Sequence, residues 1–360
     1  MGGVGSTFMI YPVLHFDFSN KSSIPLSGIN GIKLSRTVIT DYYINDQSVL
    51  VSAVNNRLRF TVGGLYIEDS ATNLLPYSQH SGLGWSVSGN DYTQSISLSA
   101  GQYVLSSILM QTGGIPTSTF DVSGGGTLSD ELTSDPTFYY GDYVCKRVYR
   151  TLFLTGTTTI TITIALSGEE TFDFTQVETG MFPSTPILTN GSSASRNADI
   201  VYMDVNQSLS TNQFNPLEGT FLNVGLHNYL LSQETNLHLV DPTSNDYLKI
   251  DSNGLSGFEL EATVNGGFSN YKFFASCDNP GFNGYACAMS YRNGLQLASL
   301  NGRSPIFPTY AQANTFDFTH VNKIYIGSEN GTTNFYKGIM KTLSYYKIFF
   351  SQNNLNSLTL

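Results

Sequence analysis

Aromatic rings in a chain rich in amides are the first residues whose chemistry can be read. Sugar rings stack their apolar faces on exposed aromatic side chains and hydrogen-bond to Asn, Asp and Gln around them. Trp85, Tyr92, Tyr139, Tyr140 and Tyr143 are candidates for this in the first half of the chain, and Tyr271, Phe282, Tyr285 and Tyr310 in the second. Trp85, Tyr92, Tyr139, Tyr140, Tyr285 and Tyr310 are taken as the glycan-contact set. The competing reading is that most aromatics of a β-sandwich fill its core or its subunit contacts. A second constellation is Asp241, Asn245, Asp246 and Asp251, hard oxygen ligands within a short span that suit Ca2+. Their spacing matches no EF-hand loop, and Asp241-Pro242 with Ser244-Asn245-Asp246 also spells a turn. No metal is therefore assigned, and Asp241, Asp246 and Asp251 remain only weak Ca2+ candidates.

Catalysis needs a nucleophile beside a base, a metal cluster, or two carboxylates facing across a cleft. None is legible. His15, His80, His227, His238 and His320 are scattered, and Glu169-Glu170 lies beside Gly168 at a hairpin turn, where adjacent carboxylates point apart into solvent. Serine-elbow, zinc-helix and phosphate-loop patterns are missing from the sequence. The expectation is a protein that is not an enzyme, with no catalytic residue and no cofactor. Cys145, Cys277 and Cys287 are too few for a disulfide framework and lack zinc-finger spacing. Cys277 and Cys287 are expected to be reduced and buried.

The elements that must position these groups are strands. Charged residues make up 12% of the chain, about half the roughly 25% usual in soluble proteins, and 17 Lys+Arg against 27 Asp+Glu leave a net charge of −10. That balance argues against nucleic-acid binding, and no stretch approaches the roughly 18 apolar residues of a membrane span. Period-two alternation runs through Thr157 to Ala165, with Ile160, Ile162 and Ile164 on one face and Thr159, Thr161 and Thr163 on the other. Similar runs recur from Tyr92 to Gly327. Asn253-Gly254, Asn265-Gly266, Asn293-Gly294 and Asn301-Gly302 supply tight-turn signals between them. The pattern predicts an all-β chain of two antiparallel β-sandwich (jelly-roll) domains with one short helix at Ser351 to Leu358. Pro183 to Asn197 interrupts the patterning and marks the domain boundary, and Thr112 to Pro136, with its glycines and prolines, reads as a long loop.

A series of short motifs runs along the chain, beginning with His15-Phe16-Asp17-Phe18, Leu34-Ser35-Arg36 and Tyr42-Tyr43, then Arg59-Phe60, Gly64-Leu65-Tyr66-Ile67-Glu68 and Thr72-Asn73-Leu74-Leu75. Val177-Glu178-Thr179-Gly180-Met181-Phe182-Pro183-Ser184-Thr185 and Arg196-Asn197-Ala198-Asp199 follow at the boundary, and Phe214-Asn215, Ile326-Gly327-Ser328 and Tyr345-Tyr346 lie beyond it. In this order they resemble a family of tailed-bacteriophage virion proteins that join a carbohydrate-binding-module-like jelly roll to a laminin-G/concanavalin-A-like sandwich. The sequence departs from the family pattern at Ser35 and Thr37 around Arg36, at Pro186 in place of an aromatic, and at Asn197. The resemblance implies N-terminal strands and an arm over 1–60, a jelly roll over 61–190 and a second sandwich over 191–360. It implies structural roles for Arg36, Arg59, Glu68, Asn73, Glu178, Pro183, Arg196 and Asp199; in a chain with so few charges, Arg36, Arg59, Glu68, Glu178 and Arg196 are expected as buried pairs at strand ends.

The same resemblance implies a non-enzymatic virion structural protein, made in the host cytoplasm and displayed on the virion surface. Its role would be host attachment as a tail fibre or receptor-binding protein, with capsid decoration as the alternative and polysaccharide depolymerisation a distant third. The expected partners are other virion proteins, a host surface glycan and further copies of the chain in a homotrimer, with no nucleic acid and no membrane insertion.

Overall fold

The computed structural model describes residues 12, 14–17, 32–35, 42–45, 47–53, 59–61, 63–80, 84–205, 214–227, 233–240, 247–253, 258–264, 267–273, 283–292, 295–304, 307–309 and 321–360. Its chain is built of antiparallel strands with one short helix, Gln352–Leu358, as the alternation predicts. Among the described residues no helix is long and apolar enough to cross a membrane. Two compact units emerge: unit A holds residues 36–62 and 69–198, and unit B holds 1–35, 63–68 and 199–360. Where the sequence reading placed divisions after residues 60 and 190, the chain changes unit after residues 35, 62, 68 and 198.

Unit A is a sandwich. One sheet pairs Gly101–Thr112 with Tyr143–Leu154 on one side and Thr171–Thr179 on the other, and Thr127–Leu128 and Leu132–Tyr140 extend it along Tyr143–Leu154. The second sheet runs Thr119–Ser123, Thr158–Ala165, Asp91–Leu98, Ser86–Ser88. Between them lies a core of Leu105, Leu109, Phe120, Val148, Leu152, Leu154, Ile160, Ile162, Ile164, Phe172 and Val177. Thr159, Thr161 and Thr163 face water, where Ser97 and Ser95 bond the first two across the ladder at 2.7 and 2.8 Å. Thr112 to Pro136 is not the expected loop. It contains Thr119–Ser123, Thr127–Leu128 and the start of Leu132–Tyr140. Its glycines carry the chain from one sheet to the other: Gly124 (φ +118°) lies against Thr159 of the second sheet, and Gly126 (φ +88°) against Phe153 and Leu154 of the first.

The outer face of the first sheet is covered in its middle. Phe174 has φ +54°, rare for an aromatic, at a bulge where the pairing with Gly101–Thr112 shifts register. It joins Ile108, Met110, Phe138, Cys145 and Leu50 in a second apolar cluster. Beside that cluster the family motif residues become a buried polar network. Glu178 accepts from Ser184 N (3.1 Å) and Gln176 Nε2 (2.9 Å), while Arg59 and Arg196 both donate to Thr185 Oγ1, at 3.2 and 2.8 Å. Burial raises the Glu178 pKa, opposed by the nearby Arg147 and Arg196 guanidinium groups and by the Ser184 bonds. Pro183 is half-buried in the segment that delivers Ser184 and Thr185.

Unit B also has two sheets. One contains Leu295–Leu300, Asn283–Arg292, Glu218–His227, Gly338–Tyr346 and Gly64–Ile67 in order, with Leu14–Asp17 also on Gly338–Tyr346. The other runs Ile32–Ser35, Ile200–Asp204, Lys323–Ile326, Gln233–Val240, Tyr247–Asn253, Phe258–Val264, Gly267–Phe273, Phe307–Thr309. Leu237, Leu239, Leu248, Ile250, Ile324 and Ile326 are buried, as are Phe221, Met289, Leu343 and the rings of Tyr285, Tyr291, Tyr336 and Tyr345. Glu68 and Asp199 are buried here as neighbours: Glu68 N donates to Asp199 Oδ2 at 3.0 Å and Asp199 N returns a bond to Glu68 O at 2.9 Å.

Candidate functional site: an uncharged aromatic row on unit A

The Tyr143–Leu154 strand pairs with Gly101–Thr112 without a register break, so its odd and even residues stay on opposite faces from end to end. Val148, Leu152 and Leu154 enter the core, which sends Cys145, Arg147, Tyr149, Thr151 and Phe153 to the outer face. The covered patch ends near Arg147, whose guanidinium donates to Ser184 O and to Ser106 Oγ (2.9 Å). Beyond it the face opens, and Phe153 is left 52% exposed.

Cross-strand partners share a face. Phe153 stands opposite Gln102 on one side and Thr127 on the other, and both are exposed. Thr127 can approach only because position 126 is glycine: a Cβ there would lie 2.7 Å from Phe153 O and 2.6 Å from Leu154 Cδ2. Four residues back along the strand, about 13 Å at the usual rise, half-buried Tyr149 pairs with Leu132, which is 44% exposed. The edge is fastened from the opposite face. Arg150 donates to Phe120 O (3.0 Å) and Ser129 O (3.1 Å), and Thr151 N donates to Ser129 Oγ (2.9 Å). The result is a ring face in water with an amide on one flank and a hydroxyl on the other, a second apolar platform further along, and no charge in either row. Such a surface can stack the C–H face of a sugar and hydrogen-bond its hydroxyls.

The glycan candidates named from sequence scatter. Tyr139 is 52% exposed and Tyr143 partly exposed at the hairpin tip of the same sheet, at the far end of the strand from Phe153. Tyr140 is a packing residue instead, its ring 5.7 Å from Phe174 and 6.4 Å from Tyr42. Trp85 and Tyr92 come together, but edge-on against buried Phe172 at 4.9 and 5.3 Å, with His80 beside them. Tyr285 is buried in unit B, where its hydroxyl donates to Asn223 Oδ1 at 2.8 Å, so its ring is closed to a sugar. Tyr310 lies outside the described residues, as do Arg36, Asp241, Asp246 and Cys277. Phe153 and Tyr149 were missed because Leu152-Phe153-Leu154 reads as an apolar run; strict alternation from Cys145 onward was the available signal.

Two carboxylate readings change. Glu170 is buried, not solvated: it accepts from Thr117 N (2.8 Å), Thr117 Oγ1 (2.9 Å), Ser118 N (2.8 Å) and Ser118 Oγ. Burial opposes its charge, but these bonds together hold its pKa below the usual value. Asp251, offered as a Ca2+ ligand, already holds a cation. Lys249 Nζ lies 2.9 Å from its Oδ2 and Thr235 Oγ1 donates to its Oδ1 at 2.8 Å. Among the described residues no group of three His, Cys, Asp or Glu side chains could hold a metal ion. Cys145 and Cys287 are free, buried thiols.

No protein-family model matches the chain, and no curated protein matches it. Among solved structures it is similar to the CBM40 of the Ruminococcus gnavus IT-sialidase bound to α2,6-sialyllactose, at 14% identity over 44% of this chain and 91% of that one, with a TM-score of 0.36. It is similar to domain 4 of AbnA, a GH43 extracellular arabinanase from Geobacillus stearothermophilus in complex with arabinotriose, at 15% identity over 47% and 77% of the two chains (TM-score 0.34). A leech intramolecular trans-sialidase is similar at 13% identity over 44% of this chain and 26% of that one (TM-score 0.35). At this distance no residue role is carried over from those proteins.

Proposed function

We propose that the chain is a non-enzymatic, glycan-binding β-sandwich protein of a tailed-phage virion, acting in host attachment. The virion assignment rests on the ordered sequence motifs. The glycan assignment rests on one observation, the exposed Phe153 ring set between Gln102 and Thr127 in an uncharged row. Without a cation in the row and with a net charge of −10, the ligand for this surface is a neutral glycan. A shallow row of this kind binds one copy weakly, at about millimolar Kd or roughly −4 kcal/mol. Display in a homo-oligomer, a trimer by analogy with tail fibres, multiplies that into avidity without any new contact.

The test is retention of the protein on a panel of immobilised neutral oligosaccharides, followed by competition with virions for adsorption to host cells. The expected result is retention by at least one neutral glycan, at least tenfold weaker in Phe153→Ala with Trp85 fluorescence unchanged, and slower adsorption in the presence of excess protein. Equal retention by Phe153→Ala would overturn the site. Unchanged adsorption, with capsids that lose heat resistance once stripped of the protein, would replace attachment with capsid decoration.

A further inference from the structure

Unit B has an open groove on the outer face of the sheet that contains Glu218–His227. Its existence follows from what covers that face. At one end the helix Gln352–Leu358 seats Leu355 on Leu222, Ala288, Tyr346 and Phe350. The helix stops there, and beyond it the cross-strand neighbours of Val224 and Leu226 are Ala286 and Gly284 on one side, too small to cover the face. A cavity of about 290 Å3 results, lined by Val224, Gly284, Ala286, Asn301 and Lys341, with Thr359 and Leu360 from the end of the helix at its rim. That is near the lower end of the ~300–1,000 Å3 range of ligand clefts, a size for one small ring rather than an extended chain.

Two donors reach this apolar floor. Gly338–Tyr346 has a bulge where it passes Val224 and Gly225: Thr342 pairs with Val224 and Met340 with Gly225, leaving Lys341 as the extra residue. With Met340 and Leu343 both buried, the bulge turns Lys341 and Thr342 to the outer face together. Lys249 is neutralised by Asp251, and Lys323 lies over the Tyr202 ring at 4.7 Å, whereas among the described residues the Lys341 ammonium has no ion-pair or hydrogen-bond partner. The second donor is Asn301, whose φ of +47° sets it in a tight turn. Its Oδ1 accepts from Ala286 N at 2.8 Å, which fixes the amide plane and leaves the NH2 group without a partner among the described residues.

We infer that this groove binds a sugar acid, one pyranose-sized ring whose carboxylate is held by Lys341 and Asn301 and whose apolar face lies on Val224, Ala286 and Gly284. An ammonium and an amide NH2 suit a singly charged carboxylate, and a charge-assisted bond gives the acid its advantage over the neutral sugar. The site is independent of the aromatic row, lies in the other unit and selects the opposite charge class.

Gly284 makes the inference testable without disturbing the fold. A Cβ at that position would meet only Leu226 Cδ2, at an ordinary 3.6 Å, and its backbone is not in the left-handed region. Gly284→Val therefore fills the groove at little cost to the strand. Titrations of the full chain with sodium glucuronate and with glucose, followed by ligand-observed NMR, should show glucuronate binding at least tenfold tighter. Lys341→Met should abolish that preference, Lys341→Arg should keep it, and Gly284→Val should remove glucuronate binding. Phe153→Ala should leave glucuronate binding unchanged, which separates this site from the aromatic row. Equal binding of the two sugars, a preference that survives Lys341→Met, or undiminished binding by Gly284→Val would each overturn it.

Discussion

Asn73 offers the sharpest test of how unit A is held together. It is fully buried, and all four hydrogen-bonding positions of its amide are used. Nδ2 donates to Thr175 O at 3.1 Å and Ile187 O at 2.9 Å, while Oδ1 accepts from Leu75 N and Val177 N, both at 3.1 Å. One side chain thus joins three segments of unit A that are remote in sequence. Asn73→Ala leaves four buried backbone groups to relax or admit water at roughly 1 kcal/mol each, so the expected loss is about 4 kcal/mol. That is a large part of the ~5–15 kcal/mol of an ordinary domain. The assay is built in, because Trp85 is the chain's single tryptophan and packs 4.9 Å from Phe172 in unit A. Its fluorescence in a urea titration should show a midpoint lower by about 2 M for an m-value of ~2 kcal/mol/M. Asn73→Asp keeps the shape but sets a carboxylate against two carbonyl oxygens, so it should lose as much at pH 7 and less at pH 3. A midpoint shift under about 0.5 M for Asn73→Ala would refute the reasoning.

Two buried groups, His238 in unit B and Asp173 in unit A, should make pH-dependent contributions of opposite sign. Burial lowers the His238 pKa to about 4 from an ordinary 6.5, with Glu329 opposing and Lys249 assisting, so the unfolded chain binds the proton first. Unit B should then lose about 3 kcal/mol as pH falls from 6.5 to 4, a slope that His238→Gln removes and hydrogen exchange of unit B amides can follow. Asp173 is raised by burial to about 6 from 3.8, so the folded form favours the proton and this group's contribution to unit A falls by about 3 kcal/mol as pH rises through that window. Asp173→Asn should restore that stability at pH 7, read by Trp85 fluorescence, and identical pH slopes for wild type and variant would count against it. Burial pushes the Cys145 and Cys287 thiols up to about 12. Neither should be alkylated in the native protein at pH 8 while both are in urea, as peptide mass mapping would show; fast native labelling of either would contradict the described burial.

The architecture was legible because alternation is a local signal. Ile160, Ile162 and Ile164 announce their face from five consecutive residues, and the helix at the chain's end shows its buried side through Leu355. Function was less legible because burial is not local. Tyr139, Tyr140 and Tyr143 look alike in sequence, yet only Tyr140 meets Phe174, and Phe174 reaches that face through a bulge opposite Ser106 to Ile108 that no single-strand pattern displays. Phe153 is hidden for the converse reason, since two core leucines flank it.

The tyrosine content carries the same lesson into unit B. A phenol can fill an apolar interior and still close a backbone hydrogen bond at its tip, provided an acceptor waits there. Tyr291 Oη donates to Asn215 O at 2.8 Å, Tyr345 Oη accepts from Asn215 N at 2.9 Å, and Tyr336 Oη donates to Leu226 O at 2.8 Å. Burial raises the pKa of all three, which keeps the proton that Tyr291 and Tyr336 donate in these bonds. A chain with few charges can tie its loops and strand ends from within in this way. Exposure rather than residue type therefore separates the aromatics of such a chain, with Phe153 52% exposed and Tyr285 buried.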